Sequence, residues 1–129
     1  MTIKQCVTID SPPESIYAAL LTATQFSEFT GAPAEIAQAE GGKFRCFGGQ
    51  ISGHHIELIP NRKIVQAWRV SNWEEGLYSL VSFSLEESGD ATIVQLVQRD
   101  YPRDARDHLD SGWHKMYWEP LRAYLSRAA

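Results

Sequence analysis

Cysteine is nearly absent from this chain, with only Cys6 and Cys46 among 129 residues. Two thiols make neither a disulfide framework nor a four-thiolate zinc site, so both read as reduced cytosolic thiols and the chain as cytoplasmic. Long apolar runs are missing too: none approaches the ~20 residues that cross a bilayer, and the N-terminus has no apolar signal-peptide core. Basic residues are outnumbered, 12 Lys and Arg against 16 Asp and Glu, for a formal net charge of −4. A phosphate-binding surface needs concentrated positive charge, so a nucleic-acid partner is not expected.

Several chemical signatures are absent as well. The glycines at 41, 42, 48, 49 and 53 are not followed by Gly-Lys-Ser/Thr or by a helix start, so they read as tight turns and close strand approaches. No serine sits in a Gly-x-Ser-x-Gly elbow, and Cys46 has no base beside it in sequence. His54 and His55 are adjacent in an expected strand and point to opposite faces, so they cannot share one ion. His55 with Glu57, and Asp110 with His114, could each act as two ligands or as an acid–base couple. Neither pair has a third partner visible in sequence. No metal, cofactor or catalytic residue is therefore assigned, and by these signatures the chain is not evidently an enzyme.

What is present is an ordinary globular composition, 43% hydrophobic and 22% charged, in a length that suits one domain over 1–129. The most informative stretch spans residues 104–126. Its apolar residues Leu109, Trp113, Met116, Tyr117, Leu121, Tyr124 and Leu125 recur at helical spacing, which predicts a long helix with these residues on its buried face. Trp118 falls just beyond the edge of that face, and Lys115, Glu119 and Arg122 take the solvent side. Pro120 lies inside the helix, where it removes a hydrogen bond to the Met116 carbonyl and predicts a bend.

The rest of the chain predicts a strand at 2–9, then a helix from 12 to about 22 with Ser11 and Glu14 as a capping box. A short second helix carries Phe26 and Phe29 with Thr24 as its cap, and Gly31-Ala32-Pro33 stops it. Between residues 34 and 99 lie five or six strands joined by connections too short for parallel crossovers, hence an antiparallel meander. Strands in a run with helices at the ends imply an α+β domain, its curved sheet wrapped around the long C-terminal helix.

Three segments carry a resemblance: 47–53 leading to Glu57-Leu58-Ile59-Pro60, 64–69 with Trp73-Glu74-Glu75-Gly76, and Gly112-Trp113 through Tyr117 to Leu121. Together they resemble the C-terminal domain of the activator of the heat-shock-protein-90 ATPase and its stand-alone bacterial relatives, in the START-like (SRPBCC) superfamily. The resemblance covers nearly the whole chain but only the C-terminal half of the eukaryotic activator. It implies a helix-grip (START/Bet v 1-like) fold. It also implies binding of an apolar small molecule, such as a lipid, polyketide or aromatic compound, between sheet and helix, in a stress-related role. The alternatives it implies are a co-chaperone-like module whose partner is a chaperone, and a cyclase or hydrolase on a polyketide or aromatic substrate. The expected pocket residues are Trp68, Phe83, Trp113, Met116 and Tyr117, with His55 and Tyr78 as polar groups.

Overall fold

The computed structural model describes residues 2–128, with side chains to Arg127. One seven-stranded sheet, antiparallel at every pairing, runs in the order β1-β7-β6-β5-β4-β3-β2. Its strands are β1 (Thr2–Ile9), β2 (Glu35–Ile36), β3 (Lys43–Cys46), β4 (Ile51–Ile59), β5 (Lys63–Val70), β6 (Ser79–Ser88) and β7 (Ala91–Arg99). Helices α1 (Pro13–Leu21) and α2 (Ala23–Thr30) carry the chain from the β1 edge to the opposite edge at β2. The C-terminal helix follows β7 as α3 (Arg106–Gly112), a π-helical turn (Trp113–Trp118) and α4 (Glu119–Ala128). No helix among the described residues is long and apolar enough to cross a membrane.

The meander closes because the alternation of each strand puts its large residues on one face. Ile3, Val7 and Ile9 of β1 share that face with Val94 and Leu96 of β7, Val81, Phe83 and Leu85 of β6, and Ile64 and Trp68 of β5. The C-terminal helix and the buried sides of α1 and α2 cover it. Ile16, Leu20, Phe26, Phe29, Leu121 and Leu125 complete the core.

Four local expectations need correction. Pro12, not Ser11, occupies the N-cap position of α1, and no side chain caps it; Ser11 is buried and its carbonyl accepts the Thr92 hydroxyl at 2.7 Å. Likewise Thr22 is the N-cap position of α2, without a side-chain cap bond, so Thr24 lies inside the helix. A β-bulge at Ile56 breaks the alternation of β4, pairing His55 with Gln66 but Glu57 with Val65. His55 therefore faces the interior and Glu57 the outside, where it meets Lys63 at 3.5 Å; the two share no face.

The fourth correction concerns the helix. Leu109, Trp113, Tyr117, Leu121 and Leu125 are buried and Tyr124 half-buried, while Lys115, Glu119 and Arg122 are exposed, all as the periodicity requires. Met116 is 47% exposed, however, and Trp118 is fully buried. The π turn is the cause. Its wider i→i+5 ring, seen in the Glu119 N–H bonding the His114 carbonyl, inserts extra arc and rotates Met116 outward and Trp118 inward. Pro120 follows directly. Widening the preceding turn relieves the clash its ring would make with the carbonyl four residues back.

Candidate functional site: a ring-floored cleft between helix and sheet

The helix is fixed on the sheet by two tryptophans that reach different strands. Trp113 Nε1 donates to Gln98 Oε1 at 2.8 Å; Gln98 Nε2 donates to Ser79 Oγ at 3.1 Å, and Ser79 Oγ to the Trp68 carbonyl at 2.8 Å. Trp118 Nε1 donates to Gln5 Oε1 at 2.8 Å, and Gln5 Nε2 returns to the Asp110 carbonyl and carboxylate. The first of these chains is wholly buried. An alternating strand places a glutamine inside as readily as a valine, so only the register reveals Gln66 and Gln98 as interior groups and the half-buried Gln5 on the same face. The sequence reading missed all three.

Aromatic rings then fill the grip. Trp113 lies 4.5 Å from Tyr117, 5.3 Å from Trp68 and 5.7 Å from Phe83, centroid to centroid. Phe26 and Phe47 pack on Tyr117 from the other side. The gap among Phe83, Gln66, Cys46 and Tyr117 amounts to about 10 Å³, room for a single water at most, so the rings are closely packed there. Beside them two adjoining clefts stand open. The one floored by rings has about 370 Å³ and lies where α3 and the π turn stand away from the ends of β4 and β5; the other, about 430 Å³, runs on past Val70 toward Trp73 and Asp104. Trp68, Trp113 and Tyr117 make the floor of the first, Phe47, Ile51 and Val70 one wall, and Lys115 and Met116 its helical rim.

Of the expected pocket residues, the cleft unites Trp68, Trp113, Met116 and Tyr117. Phe83 lies beneath them, and Met116 serves as rim rather than core. Two residues are elsewhere. Tyr78 sits on the convex face of the sheet, 43% exposed, edge-on to His54 and under the Arg69 guanidinium. His55 is buried toward the β3 edge, stacked on Phe44 at 5.3 Å, and does not line the cleft. The sequence reading missed Phe47, Gln50, Ile51 and Lys115. Phe47 had a signal: it precedes Gly48-Gly49 and holds φ of 55°, a conformation that bulky residues avoid, to turn its ring inward.

The electrostatics describe a dry floor. Burial pushes the Tyr117 hydroxyl well above the usual phenol range, and nearby Cys46 adds to this. The Trp68 indole N–H opposes the shift slightly, yet makes no hydrogen bond of good geometry and is left without an acceptor. Cys46 is itself pushed up to about 12 by burial, so its thiol is no nucleophile at neutral pH. His55 is held below the ordinary imidazole value, mainly by burial and further by His54, against a raising contribution from the Ala37 backbone. Its Nδ1 stands 3.4 Å from Gln66 Nε2, and its Nε2 has no hydrogen-bond partner. Asp110 and His114 are both exposed, and Asp110 is engaged by Gln5. Among the described residues no three His, Cys, Asp or Glu side chains come together as a metal site.

A curved antiparallel sheet closed over a long C-terminal helix defines the α+β helix-grip class of the START-like proteins. The sequence profile described as "Activator of Hsp90 ATPase homolog 1-like protein" matches residues 10–126, and the chain belongs to that family. It is 31% identical over 93% of its length to the activator of 90 kDa heat shock protein ATPase homolog 2 of Mus musculus, and 29% identical over 95% to homolog 1 of Homo sapiens. In both cases the match spans 36% of the longer relative. Among solved structures, an HSP90 activator from Plasmodium falciparum superposes with a TM-score of 0.93 at 24% identity, covering 98% of this chain and 96% of that one. The Aha1 dimer from Colwellia psychrerythraea gives 0.79 at 23% identity, with 92% of each chain covered.

Proposed function

We propose that this chain is a non-catalytic binding module that takes a flat apolar small molecule into the cleft floored by Trp68, Trp113 and Tyr117. The observation that carries the reading is the cleft itself: about 370 Å³ lined chiefly by rings and aliphatic side chains, beside a ring cluster whose own gap has room for one water at most. Catalysis has no support in the same place. The cleft's polar side chains form no nucleophile–base pair, and the Tyr117 hydroxyl at its floor stays protonated.

The affinity follows from the openness of the site. A ligand burying ~300 Å² of apolar area gains roughly 7–8 kcal/mol, and association costs at least ~4 kcal/mol of that. The remainder falls short of the roughly −8 kcal/mol of a micromolar complex. Binding is therefore micromolar or weaker. A panel of flat and elongated apolar compounds titrated against tryptophan fluorescence should give saturable quenching with some of them; no saturable quenching with any compound contradicts the reading.

A second reading, docking to a heat-shock-90-type chaperone, is favoured by the relatives' names and by the convex face of the sheet. The pairing places Lys43, His54, Ala67, Leu80 and Arg99 in one outward row, and Glu57, Val65, Ser82, Val97 and Lys4 in the next. The middle of this face is apolar and partly exposed, and three of its four ends are basic on a chain of net charge −4. Such an arrangement suits an acidic partner surface. Saturable binding to the host's chaperone that is lost in Lys4→Glu/Arg99→Glu supports it; binding untouched by that change removes the face from consideration.

A further inference from the structure

We infer that the cleft prefers an aromatic anion, an aryl carboxylate or a compound of like charge, over a neutral aromatic of the same shape. The inference rests on reading the cleft as a ligand site and concerns the charge of what enters it.

Three observations lead there. The chain carries 16 carboxylates, yet none lines the cleft; its one fixed charge is the Lys115 ammonium on the helical rim. The neighbouring cleft, which shares Val70, His108 and Leu109 with it, carries Glu74 and Asp104 instead. Charge is thus segregated along one continuous surface, with the acidic groups on the ring-poor side. The second observation is the Trp68 indole N–H, buried at the floor and left without an acceptor. Burying a donor unpaired is costly; the atom has no exposed surface of its own and its ring stands beside Tyr117, so a ligand oxygen would satisfy it by shifting that floor. Third, the π turn holds Lys115 and Met116 at the rim while Trp113 and Tyr117 go to the floor, so one helical turn supplies both a cation and two rings. Donors and rings without a carboxylate describe the complement of a flat molecule that is rich in acceptors and negatively charged.

The effect is moderate because Lys115 is exposed and screened by solvent. We expect 2-naphthoate to bind roughly three- to tenfold more tightly than 2-naphthamide, as an exposed ion pair allows. The titrations are followed by two-dimensional NMR on the intact chain. Lys115→Gln should leave the melting temperature unchanged and erase the preference, and added salt should shrink it. The Trp68 indole proton should move with the naphthoate. If the two compounds bind equally, or the amide binds better, the inference is overturned while the cleft remains a ligand site. A preference that survives in Lys115→Gln overturns it too. If neither compound moves any cleft resonance, this inference and the ligand reading fail together.

Discussion

Removing the Trp113 ring is the most demanding perturbation of the grip. The side chain is 2% exposed, touches Trp68, Phe83, Tyr117 and Trp118, and donates to Gln98 in the dry interior. Truncating a buried Trp to Ala costs ~3–5 kcal/mol. Leaving the Gln98 carbonyl oxygen without its donor adds ~1–3 kcal/mol. That total rivals the whole stability of an ordinary domain, roughly 5–15 kcal/mol, so Trp113→Ala should be poorly folded. Trp113→Phe is the quantitative variant. It keeps a ring but loses the indole N–H and part of the packing, for about 2–3 kcal/mol. Gln98→Leu should cost ~1–3 kcal/mol by orphaning the same N–H. Because the two side chains share one bond, the double variant should lose less than the sum of the singles by ~1 kcal/mol or more. Urea unfolding followed by circular dichroism measures all three. Additivity within ~0.5 kcal/mol would falsify the claim that this bond anchors the helix, and a loss under ~1 kcal/mol for Trp113→Ala would show the ring is not core.

Three further outcomes test separate links in the account. Trp118→Ala should destabilise by ~3–5 kcal/mol and Met116→Ala by less than ~1 kcal/mol; the reverse order would restore the uninterrupted α-helical phase. Gly53→Ala should destabilise strongly, because a Cβ there would overlap the Ala67 carbonyl oxygen and lie 2.9 Å from the Phe44 ring; a melting temperature within a degree or two of the parent contradicts the packing of β4 on β5. His55 is neutral in the fold and its folded pKa lies below the unfolded value of ~6.5. Its contribution is thus fully present above that value and is lost as pH falls through the folded pKa. The urea midpoint should decline on acidification below about pH 6.5, and His55→Phe should flatten that decline; an equal decline in the variant places the sensitivity elsewhere.

Much of this architecture was legible because it rests on alternation and helical spacing. The β-rich runs at 34–99 announced the meander, and the spacing of Leu109, Trp113, Tyr117 and Leu121 identified the helical seam; which phase of β5, β6 and β7 faces the helix came only from the register, because both faces of these strands carry apolar residues. What escaped were single-residue departures from those periods. A bulge at Ile56 sent Glu57 to the outer face, and one extra residue in the π turn exchanged Met116 for Trp118. Pro120 announced the second, since a proline inside a helix must be accommodated by some break in the ladder. The site was less legible than the fold. Trp113 and Tyr117 could be chosen as rings on the helical seam, but Trp68 and Tyr78 are rings whose strand phase the sequence leaves open, and Tyr78 faces outward. Lys115 is reached only once the widened turn brings its rim to the cleft.

The central claim, a ligand cleft floored by Trp68 and Trp113, can be read from the four indole N–H resonances of the native chain during titration with a flat aromatic compound. Trp118 is the internal control, being fully buried and tied to Gln5 away from the cleft. The account predicts saturable shifts of Trp68 and Trp113, with one dissociation constant at micromolar or weaker affinity, while Trp118 stays in place. Shifts confined to Trp73 or Trp118, or four resonances that never move, would contradict it.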